Sequence, residues 1–155
     1  MDIALFEPDI PQNTGSLMRL CACLGVRLHI IEPCGFLLDD KQLKRVAMDY
    51  GVQTDLHRHI SWEKFLENMG NKNRIILLST KAKNIYTDFS FERGDILLLG
   101  RESSGVPEYV IKASQAQLKI PMHENARSLN VALAASMVLG EALRQTSFPL
   151  PPGRG

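Results

Sequence analysis

The chain has 155 residues, of which 45% are apolar and 23% charged, with a formal net charge of +1. That length suits one domain with a core of its own, and no stretch approaches the roughly 18 consecutive apolar residues needed to cross a bilayer. The near-neutral balance excludes a protein that coats nucleic acid by charge alone, but not an enzyme that grips one loop through a local basic patch.

The opening run, Met1 to Leu5, lacks the basic stretch of a signal peptide and reads as a strand, so the expected compartment is the cytoplasm, with no membrane partner. Asp2 to Glu7 forms that strand, Thr14 to Leu24 a helix, and Arg27 to Ile31 a second strand ending at Glu32 and Pro33. Asp39 and Asp40 cap a helix over Lys41 to Met48, because carboxylates suit its positive N-terminal end. A short strand follows over Thr54 to His57, then a helix from the N-cap Ser61 to Met69.

Arg74 to Ser79 and Asp95 to Leu99 are unbroken Ile and Leu runs of the kind a parallel interior demands. Between them, Lys81 to Gly94 is polar and irregular and reads as a mobile loop. Pro107 to Ala113 makes a short helix, Gln117 to Ile120 a strand, and Ser128 to Arg144 the longest helix, with Ser128 as its N-cap. The segment 148–155, rich in proline, is expected to be a flexible tail. Strand and helix alternating from end to end predict a single α/β domain over 1–155, with a mostly parallel sheet and flanking helices.

In the last helix, Val131, Ala134, Ala135, Val138 and Ala142 form one apolar stripe, and Leu129, Leu133 and Met137 widen it. A core face and a subunit interface both account for such breadth. Basic candidates for a nucleic-acid patch are Lys41, Lys44 and Arg45; His57, Arg58 and His59; and Lys72, Arg74, Lys81 and Lys83. The odd set Cys21, Cys23 and Cys34 is neither a disulfide framework nor a zinc site, and no metal is expected; Cys21 and Cys23 read as small buried thiols.

Three turns carry the chemistry. Asn13, Gly15 and Arg19 follow the first strand. Gly100, Glu102, Gly105 and Pro107 follow Leu97 to Leu99, and Ile120, Pro121 and Met122 end the next strand ahead of Ser128, Leu129 and Asn130. Open α/β sheets bind ligands in the crevice beyond the carboxyl ends of their strands. The spacing from Gly100 to Gly105 superficially suits a phosphate loop, but Val106 and Pro107 stand where Lys and Ser or Thr are required. No dinucleotide glycine motif follows the first strand, and no nucleophile elbow or metal-peptidase motif occurs. Glycine-rich backbone between apolar walls suits an adenine ring better than a phosphate chain.

These three stretches resemble the motifs of the SpoU branch of the SPOUT RNA methyltransferases, and the resemblance covers essentially the whole chain. It is closest to the short members that methylate the ribose 2′-hydroxyl of the tRNA wobble nucleotide, with further support from Leu28 to Pro33, Gly35 and Phe36, and Asp49 and Tyr50. The resemblance implies a sheet whose C-terminal part is threaded as a trefoil knot, S-adenosylmethionine as methyl donor, tRNA as substrate and a homodimer whose sites are completed across the interface. It places Leu78, Gly100, Ile120, Met122 and Ser128 at cofactor-contacting positions, and Asn13, Arg19, Glu102, Ser128 and Asn130 at catalytic-motif positions.

Arg19 stands where the family's proposed base lies, yet a guanidinium keeps its proton, so a phosphate clamp is an equal reading. Asn13 and Ser128 also suit helix caps. This chain departs from its relatives at Arg101, more often Pro, and at Gly51, more often an aromatic residue or His. The same chemistry on another tRNA or rRNA nucleotide, and a silent RNA binder, are the alternatives.

Overall fold

The unbroken Ile and Leu runs at 75–78 and 96–99 form strands whose side chains are almost all buried on both faces. The computed structural model describes residues 1–38, 41, 45 and 54–146. Seven strands lie in one sheet: β1 (Asp2–Phe6), β2 (Arg27–Ile31), β3 (Leu56–His59), β4 (Ile75–Leu78), β5 (Asn84–Ile85), β6 (Ile96–Leu99) and β7 (Ala116–Lys119). Their order is β3-β2-β1-β6-β4-β7-β5, and every pairing among them is parallel. The expected α/β class with a mostly parallel sheet is therefore found.

Alternation along the strands divides the core. Ile3, Leu5, Leu28, Ile30, Leu97 and Leu99 face helices α1 (Pro11–Leu24) and α4 (Val131–Gln145). Ala4, Phe6, Ile31, Ile96 and Leu98 face the other way, against Trp62 and Phe65 of α2 (Trp62–Phe65) and Val110 of α3 (Glu108–Ala113). Trp62 sits edge-on to Phe6, ring centres 5.9 Å apart. One methyl transferred to the wrong face would leave a void, so the register is tightly fixed.

Several boundaries differ from the sequence expectation, each for a local reason. α1 starts at Pro11, since a proline in the first turn sacrifices no helical hydrogen bond. Asn13 is consequently inside the helix and is not its cap. α4 starts at Val131 and is capped by Asn130, whose Oδ1 accepts from the amides of Ala132 at 2.9 Å and Leu133 at 3.2 Å. Ser128 lies two residues earlier and does not cap it. The strand expected over Thr54 to His57 lies at Leu56–His59, and the helix after Ser61 changes to a π turn over Leu66–Gly70.

Lys81 to Gly94 is not a loose loop. It contains β5, paired to β7, and a turn at Tyr86–Asp88, and Phe91 is buried in the core. Arg74 closes this segment with a two-pronged contact to the buried Asp95, both bonds 2.7 Å. The helix expected over Lys41 to Met48 falls largely outside the described residues. So do Lys44, Tyr50, Gly51 and the tail.

On α4, the expected stripe resolves into two. Ala135, Val138 and Ala142 are fully buried core, whereas Leu133 and Met137, with Leu129 just ahead of the helix, are 61%, 45% and 40% exposed. Among the described residues no helix is long and apolar enough to cross a membrane.

Candidate active site

Reading outward from β1, the chain runs to β2 and β3 on one side, while β6 and β4 lie on the other. The order reverses between β1 and β6, and loops leaving the carboxyl ends of those strands diverge there. A cleft of about 460 Å³ opens beside Phe36 and Arg58, and a larger one of about 640 Å³ opens at the reversal itself. The larger volume is within the range of small-molecule sites.

Its apolar walls come from strand ends: Leu78, Leu99, Ile120 and Met122, with Ala134 of α4. Its polar rim comes from Asn13, Glu102, Ser128 and Asn130. Gly100 is there because nothing larger fits: a Cβ would lie 2.8 Å from the carbonyl carbon of Gly105. Arg101 and Gly105 exchange backbone hydrogen bonds of 2.9 and 2.8 Å, and Gly105 has φ +67°, so the turn that resembled a phosphate loop is a tight hairpin against the cleft.

The polar rim is a connected chain. Asp9 N–H donates to Glu102 Oε2 at 3.0 Å, and Glu102 N–H donates back to Asp9 Oδ1 at 3.2 Å. Asn13 Nδ2 donates to Glu102 Oε1 at 3.4 Å, and Asn130 Nδ2 donates to Asn13 Oδ1 at 2.8 Å. Residues 9, 13, 102 and 130 thus join three separate stretches of sequence. The contact with Glu102 holds the Asp9 carboxyl at about 2, with Ser103 and Arg101 assisting, whereas burial and that same contact push Glu102 above its usual range.

Of the nine residues singled out in the sequence, eight line this cleft: Asn13, Leu78, Gly100, Glu102, Ile120, Met122, Ser128 and Asn130. Arg19 does not. It is half-buried on α1, on the helix face that carries Gln12, Ser16 and Cys23. Asp9 was missed; an acidic loop residue three after the end of β1 carries no signal until its partner at 102 is known. Asn130 has a structural duty that the sequence reading overlooked, because it caps α4 while facing the cleft.

Four of the basic candidates have side-chain partners within the chain. Arg58 bonds Glu32 at 2.6 Å, His57 bonds Asp55 at 2.8 Å, and Arg74 is committed to Asp95. His59 is buried: its Nε2 contacts His29 Nδ1 at 2.9 Å, and His29 Nε2 contacts Asp2 at 3.0 Å. Cys21 is buried as expected, but Cys23 is exposed. Burial pushes the Cys21 and Cys34 thiols up to about 12, so neither supplies a thiolate at neutral pH.

Residues 1–140 match the SpoU rRNA methylase family. The chain belongs to that family. It is 55% identical over 144 residues to the tRNA (cytidine(34)-2′-O)-methyltransferase of Beijerinckia indica, spanning 92% of this chain and 90% of that one. The protein of the same name from Escherichia coli K12 is 43% identical over 151 residues, spanning 96% of each chain. A solved structure described as giving insight into 2′-OH methylation of C/U34 on tRNA superposes with a TM-score of 0.87 at 42% identity, covering 93% of this chain and 94% of that one. SpoU membership accounts for the motif residues meeting at one cleft.

Proposed function

We propose that this protein is a tRNA (cytidine(34)/uridine(34)-2′-O)-methyltransferase, acting on the ribose 2′-hydroxyl of the anticodon wobble nucleotide. One observation carries the reading: the three motif stretches converge on a single cleft in a SpoU-family chain whose near-full-length relatives bear that name. The protein works as a cytoplasmic single-domain homodimer with the knotted C-terminal threading of its family, and it requires no metal.

The cleft suits S-adenosylmethionine. The Gly100–Gly105 cradle, which a Cβ would fill, brings backbone close to a flat ring, and Leu78, Ile120 and Met122 supply apolar walls. Bound there, the sulfonium supplies an electrophilic methyl group, and S-adenosylhomocysteine is the product. The chain's contribution is mainly positioning, since holding two reactants in line is worth many orders of magnitude.

Asn13, Glu102 and Asn130 present a rigid rim of donors and acceptors on which a ribose can be oriented. Ser128 lies beside them at the cleft. Arg19 is not among the residues that line its own protomer's cleft. The exposed Leu129, Leu133 and Met137 give a second copy an apolar seam to cover, and dimerisation brings Arg19 to the partner's site. There its guanidinium grips an RNA phosphate and stabilises the developing alkoxide, a role that does not require it to lose its proton.

The test is transfer of labelled methyl from S-adenosylmethionine to unmodified bulk tRNA, with mass spectrometry of the digested nucleosides. The expected product is 2′-O-methylated nucleotide 34. Label on another ribose would keep the chemistry and replace the target, and cofactor binding without transfer would identify a silent RNA binder.

A further inference from the structure

Asp9 lies outside the three motif stretches, yet it is bonded to two residues of the second, Glu102 and Ser103. Its backbone and carboxylate engage Glu102 twice. Its second oxygen takes the Ser103 hydroxyl and faces Arg101 Nε at 3.7 Å. Its β-carbon is also a packing surface: a Cβ on Gly35 would lie 2.6 Å from it, and Gly35 N–H donates to Pro8 O at 2.9 Å. The loops after β1, β2 and β6 therefore all meet at this one side chain, which is only 15% exposed.

We propose that Asp9 is the positioning residue of the active site: its carboxylate fixes the 101–103 turn and thereby aims Glu102 at the Asn13–Asn130 pair. This rests on the methyltransferase reading given above. The physical logic is one of donors and acceptors. Glu102 accepts on both oxygens, from Asp9 N–H and from Asn13 Nδ2, and only the ionised carboxylate is an acceptor on both. Asn13 is then forced to offer its carbonyl oxygen to Asn130. Protonating or displacing Glu102 releases the Asn13 amide, and the rim loses its fixed order.

Among the described residues, the charged and titratable groups around Glu102 are Asp9 from the loop after β1, Arg101 from its own turn, which also meets Glu7, and Cys34 from the loop after β2. The Cys34 thiol is neutral, and Arg101 divides itself between Glu7 at 3.5 Å and Asp9. Burial is the larger cause that raises the pH at which Glu102 ionises, and the Asp9 carboxylate adds to it.

Two variants and two readouts test this. In Asp9→Asn, the acid limb of the methyl-transfer pH profile should move to lower pH, and the Glu102 carboxyl, followed by carbon NMR in the whole protein, should titrate lower by the same amount. In Asp9→Ala, kcat should fall by about tenfold or more while the Kd for S-adenosylhomocysteine changes by less than about threefold. Ser103→Ala, which removes one hydroxyl from the Asp9 contact and leaves the fold intact, should give a smaller kcat loss of the same kind.

An unchanged Glu102 titration in Asp9→Asn overturns the proposal whether or not the wild type methylates RNA. Equal losses of kcat and cofactor affinity in both Asp9→Ala and Ser103→Ala also overturn it, since they would mark a merely structural role. A wild-type protein that methylates no RNA, with Glu102 shifted as expected, would refute the methyltransferase reading and keep the coupling of Asp9 to Glu102.

Discussion

The polar chain from Asp9 to Asn130 and the chain from Asp2 through His29 and His59 use similar chemistry in different surroundings. The first ends at an open cleft, and each of its members comes from a loop beyond a strand end or from a helix terminus. The second lies among the strands at the β3 end of the sheet, roofed by Phe65, whose ring centre is 5.7 Å from His29 and 5.2 Å from His59. Asn68 Nδ2 meets His59 Nδ1 at 3.4 Å, His59 Nε2 meets His29 Nδ1, and His29 Nε2 meets Asp2, so every ring nitrogen of the pair has a partner. A network satisfied within itself stabilises a fold. One that leaves acceptors and donors facing a cavity is positioned to handle a ligand.

The largest expected effect concerns the cleft. Arg19→Ala should lower methyl transfer by about 10²–10⁴-fold with S-adenosylhomocysteine affinity retained, measured by single-turnover assay and calorimetry. Normal turnover in that variant removes Arg19 from the reaction. Leu133→Glu places a charge on the exposed α4 seam without touching the core, and it should yield monomers by sedimentation and an inactive protein. An active dimer would refute the shared-site account. Val138 is unsuitable for that test because it is fully buried, and a charge there would unfold the protein.

A remote probe sharpens the contrast. Gly35→Ala drives a methyl group into Asp9 Cβ, so kcat should fall about tenfold while the histidine chain is untouched. The smallest effect belongs to that second chain. Burial and the neighbouring imidazoles of His29 and His57 lower His59 to about 4 from an ordinary 6.5. The unfolded chain therefore binds more protons between those values, and stability is full above pH 6.5 and lost as pH falls toward 4. Denaturant unfolding should show a loss on the order of 2 kcal/mol between pH 7 and pH 5, flattened in His59→Gln, with methyl transfer at pH 7 unaltered.

Legibility in the sequence followed sequence distance. Buried strands such as Ile96–Leu99 were plain because their composition is dictated by two covered faces. The cleft residues were legible as motifs, since glycine and proline mark the turns that need them. What could not be read was pairing between distant loops. Asp9 acquires meaning only beside Glu102, Asn130 looked mid-helical until α4 was seen to begin after it, and β5 is a two-residue strand whose support comes from β7. His57, Arg58 and His59 looked like one basic patch, yet His57 and His59 share one face of β3 and only His59 is buried, with Phe65 packed against it.

The most direct test of the central claim uses two tRNA transcripts that differ by one oxygen, one with ribose and one with 2′-deoxyribose at nucleotide 34. With labelled S-adenosylmethionine, the ribose form should take up one methyl group per molecule and the deoxy form none. Equal labelling of both would contradict the assignment of the cleft to wobble-ribose methylation.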